Sequence, residues 1–566
     1  MMRRFFRFHC VFIALMAGAF LEGCGSSSPP TPPPPAGPQL IFSTYLGGAT
    51  PCDPSVGALT FAQNAVVDAL GNIYVTGATT ACDLPVLNAW QAQPAAGSTM
   101  SAFVAKYDGA GNLLWSTYLG GDGQSIGVGV VVMPDGGAAV MGLTTSDAQG
   151  PFPTTNAFQD HNNGQSDAFV TVFDSNGAIR YSTYLGGSGV EGTAGPPFAD
   201  DANNGNSIAV DAQGLVYVTG PTNSGAGNGA VSFPVTANAL QRELNQSKDA
   251  TTAMDAFMAI LDPAKSGADS LVYSSFLGGS KDDKGHAIAV DAGGDLITVV
   301  GYTQSRDFPT TANAYRPAPA PDGFTSNGFV IQFTSSLPGD PASQYAERYC
   351  TYLGADAADA RDDAYAVALD PAGLIAVTGR TESADFPMNP QANSIYNSAP
   401  YLQPGVTGDQ PYLVKIDPSQ SGAPSLAYAT FLGGDGFCTS AAVNAAGISF
   451  VGGETDAEGQ QYTPSSTPAQ APQLFPYTAD ALFTSLQGSW DAILMGVSAD
   501  GATLSFSTYL GGSASDRTYG LAVDPSGNVI MTGLTFSSDF PLKNPAQSYP
   551  GNTGSQNAFV TKIGPF

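Results

Sequence analysis

Positive charge is scarce in this 566-residue chain: 19 lysines and arginines stand against 47 aspartates and glutamates, for a formal net charge of -28. A surface of that sign repels phosphate backbones, so nucleic acid is not an expected partner. Histidine is scarcer still. His9, His161 and His286 are too far apart to form an HExxH motif or any close metal-binding pair. Both His161 and His286 are expected to be solvent-facing or locally hydrogen-bonded. The six cysteines include no CxxC pair, and the P-loop, dinucleotide-binding and G-x-S-x-G nucleophile signatures are missing. Charged residues of both signs make up 12% of the chain, about half the share usual in soluble proteins.

Long apolar runs are also missing, with one short example near the start. Arg3, Arg4 and Arg7 precede VFIALMAGAFL (11–21), a stretch too short for a comfortable transmembrane helix of about 20 residues. It leads into Leu21-Glu22-Gly23-Cys24, which resembles a bacterial lipoprotein processing box. Residues 1–23 are therefore expected to be a lipoprotein signal peptide, with Cys24 carrying fatty acyl chains of the palmitate type. Glu22 departs from the small or mildly apolar residue usual at that place. GSSSPPTPPPPAGP (25–38) follows, and residues 24–38 read as the anchor cysteine and an extended linker with little to bury. Gly25 rather than Asp after Cys24 suits outer-membrane sorting. The expected address is the bacterial outer membrane, periplasmic or surface-exposed, with the membrane reached through the N-terminal lipid.

Glycine (68) and proline (42) are plentiful, and 43% of residues are hydrophobic, a mixture that favours short strands and turns over long helices. One phrase returns seven times. It begins at Phe42 (FSTYLGG), Trp115, Tyr181, Tyr273 (YSSFLGG), Tyr349 (YCTYLGA), Tyr428 (YATFLGG) and Phe506. A second recurring segment, such as NAVVDALGNIYVTG (64–77) or GLAVDPSGNVIMTG (520–533), joins two apolar runs through an Asp-x-x-Gly type turn. That pattern predicts a β-hairpin. A third strand recurs as AFVAKYD (102–108) through AFVTKI (558–563). Between the second and third strands lies an insert such as DLPVLNAWQ (83–91) or PFPTTNAFQ (151–159). Its proline fixes a turn, and its NAFQ-like tail is expected to make one helical turn. Stretches 192–205, 225–230, 393–408 and 458–473 vary most and are expected to be loops.

Seven copies of about four antiparallel strands predict an all-β fold, a seven-bladed β-propeller over residues 39–566. A long solenoid is the architectural alternative. The phase of the repeat favours the propeller. LIFSTYLGG (40–48) is a fourth strand that no first three precede, and AFVTKI (558–563) is a third strand that no fourth follows. Pairing them would build the last blade from both ends of the domain and remove two exposed sheet edges. These phrases, STYLGG, AVDxxGNxYVTG, DFPTT and AFVTK, resemble the SBBP family of bacterial β-propeller repeats over roughly residues 40–566. The resemblance implies a propeller of the exported or surface type and assigns no catalytic residue.

Candidate chemistry is correspondingly thin. Export permits disulfides, and Cys52 and Cys82, which flank the first strand of one unit, are the candidate pair; Cys350 and Cys438 sit at different phases of adjacent repeats, and their pairing stays open. Acidic residues recur near one strand exit: Asp122, Asp282, Asp283, Asp359, Asp362, Asp363 and Asp435. Several of these, Asp122, Asp282, Asp283, Asp362, Asp363 and Asp435 in particular, are candidate calcium ligands, although no complete EF-hand loop is present and turn capping competes with that role. The expected function is a lipid-anchored extracytoplasmic binding or scaffold protein whose inter-strand loops meet an envelope protein or glycan. A propeller hydrolase or lyase, and a structural adhesion or envelope-assembly protein, are the alternatives. A catalytic site would require a concentrated polar constellation at the central opening or on one face.

Overall fold

The computed structural model describes residues 37–147, 151–192, 207–225, 231–244, 254–319, 325–336, 344–354, 360–383, 386, 394–398, 408–464, 469–470, 474–551 and 555–566. The signal segment, Cys24 and most of the linker lie outside the described residues, as do Asp359 and much of the four variable stretches.

Seven antiparallel sheets form the blades of a closed propeller. Blade one runs from Thr60–Val67 on the inside to Leu113–Leu119 on the outside, and blade two from Ser125–Val132 to Ile179–Leu185. Blades three and four run from Ile208–Val210 to Leu271–Leu277 and from Asp283–Val290 to Tyr345–Leu353. Blade five spans Asp362–Leu369 to Leu426–Phe431, and blade six Gly436–Val443 to Leu504–Leu510. Blade seven begins with Asp516–Val523, Val529–Thr535 and Asn557–Gly564, and its outer strand is Gln39–Leu46. That strand pairs antiparallel with Asn557–Gly564 from Gln39 opposite Gly564 to Leu46 opposite Ala558. Each inner strand contacts the next around the full circle, seventh to first included.

The local chemistry of the repeat explains the blade. In the inner hairpin of blade one, Asp68 Oδ1 accepts the backbone N–H groups of Leu70 and Asn72, and Gly71 takes φ 83°, where a side chain would be strained. Asp211, Asp370, Asn444 and Asp524 accept the same pair of bonds in their own turns. Third-strand lysines lock this turn: Lys415 Nζ lies 2.9 Å from Asp370 Oδ2, and Lys562 Nζ 2.9 Å from Asp524 Oδ2. The middle strands, for example Ile73–Thr79 and Ser101–Tyr107, are buried at every residue. Both of their faces pack against other blades or strands, so their sequences run apolar rather than alternating.

The aromatic phrase holds the insert in place. Tyr45 Oη donates to Ser537 O at 2.7 Å and accepts from Phe540 N at 3.0 Å. Tyr118 makes the equivalent bonds to Ala81 O and Leu84 N. The insert's Phe540 stacks on Phe559 of the third strand with ring centroids 4.6 Å apart, and Phe152 lies 4.3 Å from Phe169 in the same way. In blades one, two and seven the expected helical turn of the NAFQ tail is replaced by a bend, whereas blades three, four and six keep one turn, with the N–H groups of Ala239, Ala314 and Ala481 donating to Thr236 O, Thr311 O and Thr478 O. Asn88, Asn156 and Asn544 have φ of 50°, 53° and 45°, and their side-chain amides donate to Leu114 O, Arg180 O and Ile41 O on the outer strand. In blades one, two and seven the tail therefore bonds the blade edge instead of itself. Single 3-10 turns occur elsewhere, at Gly267–Ser270 and Ala423–Ser425.

Two departures from a plain four-strand blade concern the variable stretches. Tyr396–Ser398 and Ala469–Gln470 extend the sheet of blade five to six strands. Gly459–Gln461, expected to be loop, pairs in parallel with Phe475–Tyr477.

If terminal pairing closes the ring, deleting residues 40–48 strips the outer edge of blade seven. The expected outcome in calorimetry is a large drop in Tm and a broadened, less cooperative transition; an unchanged melting profile would count against closure.

Candidate functional site

Each inner strand opens on the face of the disc that also carries the inserts. A β-bulge interrupts the first few residues of six of these strands, between Ala62 and Asn64, Gly127 and Gly129, Gly285 and Ala287, Ala364 and Ala366, Cys438 and Ser440, and Thr518 and Gly520. Bulges re-aim the extra side chain and recur beside functional sites. The bulged residues are Gln63, Val128, His286, Tyr365, Thr439 and Tyr519. Two of them reach the neighbouring blade: His286 Nδ1 bonds Ala364 O at 3.0 Å, and Thr439 Oγ1 donates to Thr518 O at 2.6 Å. A carbonyl only accepts, so the His286 hydrogen sits on Nδ1.

The cross-strand pair beside each bulge gives this mouth two unlike halves. In blades one and two the pairs are Phe61 with Ala78 and Ile126 with Leu143. In blades four, five and six they are Lys284 with Tyr302, Asp363 with Arg380, and Phe437 with Glu454. Blade seven joins the halves, with Arg517 opposite Leu534. Phe61, Ala78, Tyr519 and Leu534 pack into one apolar cluster. The other half is a chain of aromatic and ionic contacts. The His286 ring lies 5.4 Å from Tyr302 and 5.3 Å from Tyr365, and Tyr365 lies 6.3 Å from Phe437. Lys284 sits over Tyr302 and Arg380 over Tyr365 as cation–π pairs.

Arg380 is the centre of this half. It is 3% exposed, and its guanidinium reaches Asp363 Oδ2 at 3.1 Å and Asp409 Oδ2 at 3.3 Å. Tyr365 Oη and Ser326 Oγ donate to the two oxygens of Asp363. Burial works against the Arg380 charge, but Tyr365, Asp363 and Asp409 outweigh it and hold the group protonated. Arg517 Nε pairs with Glu454 Oε2 at 2.6 Å. Around the rim, burial raises the carboxyls of Glu382, Asp435 and Asp456; Asp409 adds to the effect at Glu382, and Asp456 and Asp409 add to it at Asp435.

The calcium candidates do not converge here. Asp283 and Asp362 are buried between blades: Asp283 Oδ2 accepts from Gly279 N and Ser305 Oγ, and Asp362 accepts from the Thr381 and Ser383 hydroxyls. Asp363 is committed to Arg380. Asp282 accepts Met254 N–H, Asp435 accepts Asp409 N–H, and Asp122 accepts Asp147 N–H at 3.4 Å. Among the described residues no three His, Cys, Asp or Glu side chains are grouped to hold a metal ion. Cys52 and Cys82 are joined in a disulfide. Cys350 and Cys438 are buried free thiols, and burial pushes Cys438 up to about 12. His161 is exposed beside Asp160 at 2.7 Å.

Sequence inspection passed over Tyr302, Arg380, Glu454, Phe437 and Arg517. A signal for three of them was present. In the repeated phrase Gly-x-Thr that ends the second strand, the middle residue is Ala78, Leu143, Pro221, Tyr302, Arg380, Glu454 and Leu534, so the polar half is visible as variation at one repeat position.

Residues 506–541 match a family model described as SBBP, a beta-propeller repeat. Among solved structures, the chain is similar to a protein of unknown function from Dyadobacter fermentans DSM 18053, with 10% identity and a TM-score of 0.37 over 93% of this chain and 99% of that one. It is also similar to the Dos1 propeller, with 8% identity and a TM-score of 0.38 over 94% and 95% of the two chains. No curated protein matches it in sequence.

Replacing Arg380 with alanine would leave Asp363 buried without its cation. A loss of about 3 kcal/mol or more is expected, read as a lower midpoint in urea unfolding.

Proposed function

We propose that the protein is an extracytoplasmic binding or scaffold protein of the bacterial envelope, tethered through lipid on Cys24, and that it engages an envelope protein or glycan at the polar half of this mouth. One observation carries the reading: aromatic and charged side chains are concentrated on blades four to seven while the same repeat positions in blades one and two are apolar. Conformationally fixed groups of this kind suit recognition, because little side-chain freedom remains to be lost on binding. Arg380 and Asp363 serve as the internal brace of the surface. Phe437, Arg517 and Asp409 are partly exposed and supply contacts. The fold contributes rigidity and the inserts contribute variation, the usual division of labour in loop-based binding.

Support for the address comes from two directions. Arg3, Arg4 and Arg7, the apolar stretch 11–21 and the Gly23-Cys24 junction have the layout of a lipoprotein leader. The Cys52–Cys82 disulfide suits an oxidising compartment outside the cytoplasm. Labelled fatty acid should enter the wild type in a bacterial host and not Cys24→Ala; equal incorporation would defeat the anchor.

Binding is tested with the folded body beginning after Pro38, immobilised against envelope extract and against a glycan array. A selective partner should bind the Phe437→Ala and Arg517→Ala variants about tenfold or more weakly, with Tm close to that of the wild type for Phe437→Ala and lowered for Arg517→Ala, which leaves Glu454 buried without its cation. Full binding by both variants would move the site away from the mouth, and the absence of any selective partner would remove the reading.

A further inference from the structure

At every junction between blades, a backbone N–H donates to the carbonyl just before the third strand of the preceding blade; the donor is the first residue of the inner strand in six blades and, in blade three, Glu191, which precedes Ile208–Val210. The bonds are Thr60 to Gln556, Ser125 to Met100, Glu191 to Ser166, Asp283 to Met254, Asp362 to Ser326, Gly436 to Asp409 and Asp516 to Trp490. The residue after that carbonyl and the donor residue therefore face each other across the seam. Blades one and two meet through Ser101 and Ser125. Asn327 meets Asp362, Gln410 meets Gly436, and Asn557 meets Thr60. The remaining three seams bring together two acids each: Asp167 with Glu191, Asp255 with Asp283, and Asp491 with Asp516.

All six of these carboxyl groups belong to residues with 0% exposure. A glycine covers each pair. A Cβ on Gly278 would lie 2.6 Å from Asp255 Cγ and 2.8 Å from Asp283 Oδ2, and one on Gly511 would lie 2.6 Å from Asp491 Cγ and 2.9 Å from Asp516 Oδ2. At the second-to-third seam, a Cβ on Gly186 would touch Glu191 Oε2 and lie 2.6 Å from Asp167 Cγ, so these two carboxyls share one covered space. Asp167 Oδ1, Asp283 Oδ1 and Asp516 Oδ1 are buried without a hydrogen-bond donor.

The surroundings supply neutral donors. Asp167 Oδ2 accepts from the Gln159 amide and Asn163 N, while Glu191 accepts from the Thr222 and Ser224 hydroxyls and Gly187 N. Asp516 Oδ2 accepts from Gly512 N and Ser537 Oγ, and Asp491 from Gln487 N and Gly488 N. Asp255 Oδ2 accepts from the Gln241 amide. Among the described residues no lysine, arginine or histidine pairs with Asp167, Glu191, Asp283, Asp491 or Asp516. The phenols nearby are those of Tyr184, Tyr352, Tyr509 and Tyr45, all raised by burial and neutral across the ordinary pH range. Donor-rich surroundings of this kind suit a shared proton, since a metal ion would need acceptor oxygens on those sides.

We propose that the seams between blades two and three, three and four, and six and seven each hold one proton shared by two carboxyl groups, so that cohesion between these blades depends on pH. Ionising both members would place two like charges in one buried seam, and at the Asp167–Glu191 and Asp491–Asp516 seams no cationic side chain among the described residues is paired with either member. Burial pushes Asp491 up to about 6, Asp516 to about 7 and Asp283 to about 8. It also raises Asp167 and Glu191, with the charge of Glu191 adding to the effect on Asp167. A carboxyl raised on folding stabilises the fold fully below its unfolded value of about 4, and that stability is lost as pH rises through the folded value. The window therefore runs from about pH 4, the unfolded value, to about pH 8, the highest folded one, and the propeller is tightest on its acid side.

The test is calorimetry of the folded body from about pH 5 to pH 9, with amide hydrogen exchange read at individual seams and corrected for the intrinsic pH dependence of exchange. Tm should fall by several degrees as pH rises through the window. Exchange at the Glu191 and Asp516 amides should quicken while that at Ser125, in the seam between two serines, holds steady. The Asp167→Asn/Asp516→Asn double variant, which leaves one acid and one amide in each of two seams, as Asn327 and Asp362 do in theirs, should flatten the profile. A wild-type Tm that is constant or rises with pH would overturn the proposal, as would an unaltered slope in the double variant. If the double variant does not fold, Asp516→Asn alone and the wild-type profile decide the matter. Restoration of alkaline stability by calcium ions, with no response to protons, would reassign the pairs to a cation and likewise overturn it.

Discussion

Pairing between Gln39–Leu46 and Asn557–Gly564 is the constraint on which the rest of the molecule depends. The seventh sheet has its full four strands only when an outer strand is supplied, and here that strand comes from the other end of the domain. Ser43 adds a side-chain bond to Thr561 at 2.8 Å, and Tyr45 ties the same strand to Ser537 and Phe540. With the circle closed, every inner strand has a neighbour on both sides. The backbone bonds at the seven seams can then form together, which makes blade packing a cooperative property of the whole disc.

Closure also explains why chemistry gathers at one mouth. The inner hairpin repeats the same bulge from blade to blade, so side chains at one repeat position are brought to one level around the circle. At that level the chain places apolar residues on one half and an aromatic and ionic network on the other. The Asp-x-x-Gly turns at the other end of the inner hairpin are tied by Asp370–Lys415 and Asp524–Lys562 pairs that serve the fold. Identical backbone geometry thus carries two different tasks, depending on which repeat position is allowed to vary.

A reading of the chain alone reached the blade count, the strand order within each unit and terminal closure, because each depends on periodic patterns and on the phase at which the pattern starts and stops. It reached the hairpin turns for the same reason. It erred on the NAFQ tail of blades one, two and seven, where local propensity suggested the helical turn that blades three, four and six do make. The asparagine instead adopts the left-handed region and bonds the outer strand, a gain that exists only once that strand is beside it. The acidic residues recur near one strand exit in the sequence, yet that grouping says nothing of direction. Asp283 and Asp362 turn into the seams, and Asp363 turns to Arg380.

Repetition, composition and phase are properties of the chain, and they determined an all-β ring of seven blades with its last blade shared, because periodic patterning is set residue by residue along the strand. Which distant side chains meet was decided only by tertiary structure. Arg380 finds Asp363 and Asp409, and Asp167 finds Glu191. Such contacts join residues from different strands or blades, and their energies come from burial and the exclusion of water, conditions that no stretch of sequence possesses before the disc has closed.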